Sequence, residues 1–246
     1  MYPPRITRHA AIRRWALRLT SLAALWVCLA AGARATWAQG GPSVFPTLLD
    51  LHQVKPGTWA EYGLSVGGNQ MKQRLAVVAR DEKTTTLEMT VEGGPMAAMG
   101  RMILQLALPR DPKLEGRPSA VVVQVGANAP MQMPTNHPMA PKESFKPLDP
   151  KTLSTKAETV KVPGGTFKAL KHVQTQGDQE ATTWLSEKAA PLGLVKMESK
   201  TQMGPATVEL LKQGHDAKSS LSGKPLPFDQ NQFMQQLMSG MSGKKK

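Results

Sequence analysis

Methionine is the residue type in this chain with the most chemical scope. Of 14 methionines, 13 lie beyond the first forty residues. Met96, Met99 and Met102 recur every third position, and Met131, Met133 and Met139 frame His137 within one proline-rich stretch. Thioethers are soft ligands that select Cu(I), so these two groups are the candidate metal ligands of a copper-handling protein. Methionine also fills irregular cores and moulds itself around apolar ligands. That second use needs no convergence of sulfur atoms, and it leaves the chain with no expected cofactor.

Other chemistry lacks its residues. His52, His137, His172 and His215 stand at no metal-ligand spacing, and there is no HExxH run, nucleophile elbow or Walker-type loop. Glu61, Glu88, Asp178, Glu180 and Glu187 fall on expected solvated positions with nothing to pair them, and His172 is expected at a sheet surface. No catalytic residue is expected, and the chain reads as a non-enzyme.

The elements that would hold these residues are strands. In Thr84 to Glu92 the period is two: Leu87, Met89 and Val91 turn one way, and Glu88, Thr90 and Glu92 are expected to face water. The same pattern predicts strands over Thr58–Val66, Gln70–Arg80, Arg101–Leu108, Ala120–Val125, Glu158–Val162, Thr166–Thr175, Ala181–Glu187, Leu194–Ser199 and Ala206–Lys212. Glycine, asparagine and aspartate turns separate them. The expected fold is mainly β, a single strongly curved antiparallel sheet (an open half-barrel) of about ten strands with few short helices.

Six prolines between Gly126 and Pro150 predict a long loop, either a plain connection or a cover over the sheet, because proline lacks the ladder donor. Residues 39–57 read as a lead-in to a domain over 58–214. In the tail, 215–246, Asp229 can cap a short helix carrying Phe233, Met234, Leu237 and Met238. Phe228 is placed as its staple, and Lys244 to Lys246 form a basic end.

Residues 1–38 carry the signals of export. Five arginines, Arg5 to Arg18, precede a 13-residue apolar run from Leu19 to Ala31, and small residues follow. This is the order of a signal peptide, with cleavage expected after Ala38 rather than Ala35. Arg13-Arg14 matches a twin-arginine signal only in part. Cys28 lacks the small preceding residue of a lipoprotein site, so an ordinary apolar-run cysteine is expected. The mature protein is then expected in the periplasm or outside the cell. Losing the leader's six arginines lowers the formal net charge from +13 to +7. That charge is dispersed, so no nucleic-acid partner is expected, while a peripheral contact with an anionic membrane stays open. Cys28 is the sole cysteine, so the mature chain can form no disulfide or thiolate site.

The order Lys55-Pro56-Gly57-Thr58-Trp59-Ala60-Glu61-Tyr62, then Val160 to Ala169, Thr183-Trp184-Leu185-Ser186-Glu187 and Pro191 to Ser199, resembles exported bacterial envelope proteins with the curved-sheet fold of the outer-membrane lipoprotein carrier (LolA-like). The resemblance spans about Lys55 to Gly214. It implies a concave face that holds acyl chains of a lipid or lipoprotein. Trp59, Leu87, Met89, Val91, Phe167 and Trp184 are the candidate pocket-lining residues. The reading drawn from this is a non-catalytic, lipid-binding envelope protein. Its rivals are a structural or interaction protein with a dry core and the Met-rich copper binder.

Overall fold

The computed structural model describes residues 46–114, 117–137, 140, 145, 147–176, 179–201 and 204–241. The leader with Cys28, the cleavage site near Ala38, Met139, Asp178 and the terminal lysines lie outside the described residues. The strands are β1 Trp59–Val66, β2 Asn69–Arg80, β3 Thr84–Gly93, β4 Met102–Pro109, β5 Ala120–Val125, β6 Met131–Met133, β7 Glu158–Val162, β8 Gly165–Gln176, β9 Gln179–Leu185, β10 Leu194–Thr201, β11 Gly204–Gly214 and β12 Leu226–Pro227. Among the described residues one α-helix, α1, runs Gln230–Met241. The expected mainly β, curved sheet is the observed one.

All twelve strands form one sheet in the order β12-β6-β5-β4-β3-β2-β1-β11-β10-β9-β8-β7. Every pair is antiparallel except β12 with β6, which is parallel. The tight turns follow local chemistry. Between β1 and β2, Gly67 and Gly68 both take positive φ (54° and 84°), the backbone that a two-residue hairpin needs. Between β2 and β3, Asp81 Oδ1 accepts from the backbone N–H groups of Lys83 and Thr84, each at 2.7 Å. These bonds hold the Asp81 carboxyl below the usual carboxylate range.

The sheet curls strongly without closing into a barrel. β7 is four places from β11 in the strand order, yet Gly164, in the β7–β8 turn, donates its N–H to the Leu210 carbonyl at 2.9 Å. A flat sheet would hold those strands about 19 Å apart at its normal strand spacing. A methyl group at Gly164 would stand 2.9 Å from that carbonyl, so the close approach itself requires glycine.

The proline-rich connection holds a strand that the sequence did not predict. β6 fits between Pro130 and Pro134, so its three residues can pair with β5 while the prolines stay outside the ladder. Beyond it the chain crosses from one sheet edge to the other, because β6 and β7 lie near opposite ends of the strand order. On the way, Leu148 donates to the Thr47 carbonyl at 2.8 Å, and Ser154 donates to the Lys171 carbonyl of β8 at 2.8 Å.

Both faces of the sheet carry buried residues. The inner face, which bears Tyr62, Leu75 and Leu87, meets the lead-in, where His52 Nδ1 lies 2.9 Å from Thr85 Oγ1. The outer face meets the tail across β3, β4 and β5, and this corrects the sequence reading. Glu88, expected in water, is 1% exposed, and Thr90 is buried beside it in the strand. The Glu88 carboxylate accepts from Ser219 Oγ (3.1 Å), from the Ser220 N–H (3.0 Å) and from Gln105 Nε2 (2.8 Å). Gln124 Oε1 accepts from the Ser222 N–H at 3.0 Å. Alternation marked the two faces, but it could not show that a distant segment dries the second one.

The tail then rounds the edge as β12 and enters α1. Asp229 Oδ1 accepts from the Gln232 N–H at 2.9 Å, an N-cap bond. Phe228 packs on Phe233 with ring centroids 5.6 Å apart, the spacing of a staple across the cap. Phe233 and Leu237 are buried, while Met234 and Met238, on the same helix, are exposed.

Candidate functional site

The inner face is built by alternation. On β1 it carries Ala60, Tyr62 and Leu64, and these pair across to Leu75, Gln73 and Met71 of β2. Leu75 pairs onward to Met89, and Gln73 to Val91, on β3. β4 and β5 continue the face with Met102, Leu104 and Leu106 against Val125, Val123 and Val121. From β1 to β6 the inward strand positions are uncharged except at the end of β2, where Arg80, opposite Thr85, donates to the His52 carbonyl of the lead-in at 3.0 Å.

In the middle of this apolar surface stand two polar side chains, Tyr62 and Gln73, which are cross-strand partners. Tyr62 is fully buried and Gln73 is 1% exposed. Tyr62 Oη and both Gln73 amide atoms have no hydrogen-bond partner among the described residues. Burial pushes the Tyr62 phenol far above its usual range, so it stays a neutral O–H donor. A buried polar group left unsatisfied costs about 1–3 kcal/mol. The pair therefore offers one phenol donor, one amide donor and one amide acceptor in a neutral, apolar setting.

The candidate residues named from sequence divide between two faces. Leu87, Met89 and Val91 are inward, with Leu87 and Val91 buried and Met89 partly exposed. Phe167 is buried in β8. Trp59 is not on this face: it pairs with Ala76 and Gly214, in the phase of Glu88 rather than Leu87. Its indole N–H donates to Asp216 Oδ1 at 2.7 Å, and the Arg74 guanidinium stacks 4.6 Å from its ring centroid. That N–H holds the Asp216 carboxyl below the usual carboxylate range. The indole lies over Gly214, where a methyl group would meet Nε1 at 2.7 Å.

Trp184 is likewise a surface residue. Its N–H donates to Glu158 Oε2 at 3.1 Å, and Lys171 and Lys196 flank its ring at 5.9 and 5.8 Å. Lys196 in turn pairs with Glu198 at 2.8 Å, which raises its pKa. One-residue phase decides inside from outside, and aromatic type alone does not reveal it.

Of the methionines, Met102, Met131 and Met133 share the inner face, with the β5 valines between their strands. Met99 is buried in the short 3-10 helix Gly94–Met99. The Met96 and Met139 side chains lie outside what is described. His137 stacks edge-on against Phe228, with centroids 4.9 Å apart. Among the described residues no group of three His, Cys, Asp or Glu side chains converges on a metal position.

Sequence reasoning missed Gln73, although its signal is present. In Met71-Lys72-Gln73-Arg74-Leu75-Ala76-Val77 it is the single polar residue in the inward phase. Glu88 had no comparable signal, because its partners lie 131 and 132 residues away.

No family model and no curated protein matches this chain. Among solved structures it is similar to the hypothetical protein CT021 from Chlamydia trachomatis, at 16% identity and a TM-score of 0.42, over 72% of this chain and 95% of that one. It is also similar to PNGF-II, at 13% identity and TM-score 0.37, over 74% of this chain and 33% of that one. A third likeness is to MucB, at 10% identity and TM-score 0.39, over 68% and 57% of the two chains.

Proposed function

We propose that this chain is an exported, non-catalytic envelope protein that holds a lipid or lipid-linked partner against the inner face of its sheet. The observation that carries the reading is the Tyr62–Gln73 pair: a buried amide and phenol without protein partners, set in a broad uncharged apolar surface. Such a surface suits a molecule that is mostly hydrocarbon with few polar atoms. Inward methionines can adapt to chains of varied shape. The leader, with cleavage after Ala38, and the resemblance to the outer-membrane lipoprotein carrier proteins support a place in the envelope.

The test is native mass spectrometry of protein purified from its own envelope, followed by lipid extraction. Co-purifying lipid is expected, with a mature N-terminus at Gln39. It should be absent from a Leu87→Asp variant that keeps its β-rich circular-dichroism spectrum. A ligand-free mass with no uptake of fluorescent fatty acid would overturn the reading.

One observation favours a second reading, an interaction protein with a filled core. Tyr62, Leu75 and Leu87 are each fully buried by the protein's own atoms. The same experiment separates the two.

A further inference from the structure

The Tyr62–Gln73 pair says more than that the inner face takes lipid. We propose that it selects acyl chains bearing a neutral group that both donates and accepts a hydrogen bond, an amide or a hydroxyl, over plain esters. This inference rests on the lipid-binding reading and narrows it.

The inventory of unpaired atoms sets the chemistry. Gln73 Oε1 needs a donor, while Gln73 Nε2 and Tyr62 Oη need acceptors. A secondary amide supplies one N–H and one carbonyl oxygen with two lone pairs, which matches one acceptor and two donors. A hydroxyl matches in the same way through its proton and its two lone pairs. An ester carbonyl satisfies the donors but leaves Gln73 Oε1 bare.

A carboxylate or phosphate fits worse. The inward neighbours Leu64, Met71, Leu75 and Val91 are apolar, and no cation stands among them to offset a buried negative charge. Of the charged residues of β1 and β2, Glu61, Lys72 and Arg74 alternate to the other face, and Arg80, past the β2 bulge at the far end of the strand, is tied to the His52 and Val54 carbonyls of the lead-in. The pair thus reads the middle of an amphipathic molecule rather than an ionic headgroup.

Three matched probes test this on the full chain: N-methylpalmitamide, methyl palmitate and methyl 3-hydroxypalmitate. They are presented as equimolar mixtures, and the bound ratio is read by native mass spectrometry. Retention of the amide, the hydroxy ester or both about tenfold above methyl palmitate is expected, the equivalent of one well-made hydrogen bond. Which of the two dominates identifies the group. In Gln73→Leu the three probes should bind equally, and Tyr62→Phe should narrow the ratio.

Equal retention by the natural sequence, as would follow if water satisfies the pair, overturns the inference and leaves lipid binding standing. A preference that survives Gln73→Leu also overturns it. Failure to retain any probe overturns both. If Gln73→Leu does not fold, Gln73→Met and Tyr62→Phe provide the same comparison.

Discussion

Replacing Glu88 with alanine should peel the tail from the outer face of the sheet. The carboxylate is 1% exposed and accepts from Ser219, Ser220 and Gln105, so its loss leaves three donors without their charged acceptor. A hydrogen bond to a charged group contributes about 1.5–3 kcal/mol. Two effects reduce the total. Ser219 and Ser220 sit on a segment that can swing into water, and removing the carboxylate also removes its own desolvation cost. A net loss of about 2 kcal/mol results, roughly the value of one such bond. For a chain of this size each kcal/mol moves Tm by about 2–4 °C, so a fall of about 4–8 °C is expected. Thermal melts followed by circular dichroism measure it, with the exposed Glu92→Ala as control. Hydrogen exchange supplies the local readout: the Ser220 amide should lose protection while the Leu75 amide keeps it. If Ser220 stays protected and Tm moves less than the control, the carboxylate does not hold the tail.

Three further outcomes follow from groups already described. Tyr62→Phe removes an unsatisfied buried hydroxyl, so the ligand-free protein should gain about 1 kcal/mol and 2–4 °C in Tm, and a loss of stability would mean that the hydroxyl has a partner. Asp81 has a depressed carboxyl pKa in the folded state, so its contribution is fully present above the ordinary unfolded value and disappears as pH falls through the folded one. An acid titration of Asp81→Asn should accordingly show a shallower loss of stability than the natural chain, and identical acid limbs would refute the linkage. Phe233→Ala removes the buried anchor of α1 and its contact with Phe228; a cost of about 3 kcal/mol and loss of helical signal near 222 nm are expected, whereas an unchanged spectrum would show that the helix holds without its anchor.

The sheet was legible because its grammar is local. A period of two, broken by Gly67-Gly68, Asp81 and Gly164-Gly165, marks ten of the twelve strands to within a few residues. The two it hid are β6 and β12, of three and two residues, too short to show a period. Burial was less legible, because it depends on what arrives from elsewhere in the chain. Glu88 reads as a solvent residue until Ser219 and Ser220 come to rest on it. Trp59 reads as a core aromatic, yet its phase puts it outside, where Gly214 leaves room for the ring. The Tyr62–Gln73 pair was half visible: the phase of Gln73 could be read, but the lack of a partner exists only in three dimensions.

The strand order has a consequence for the history of the folding chain. Written from the other edge it runs β7 to β11, then β1 to β6, a simple meander cut and rejoined, with β12 added at the end. The two runs are each built of neighbours in sequence, and they meet only at the β1–β11 seam, where Trp59 faces Gly214 across 155 residues of chain. Local hairpins can form early, but the seam must wait for a large loop to close, and such non-local pairing slows folding. A circular permutant opened in the proline-rich crossing and joined from tail to lead-in would place β11 before β1, with only the tail and the lead-in between the two seam strands. Every strand would keep its partner, and the most distant pairing in the sheet would have a far shorter loop to close.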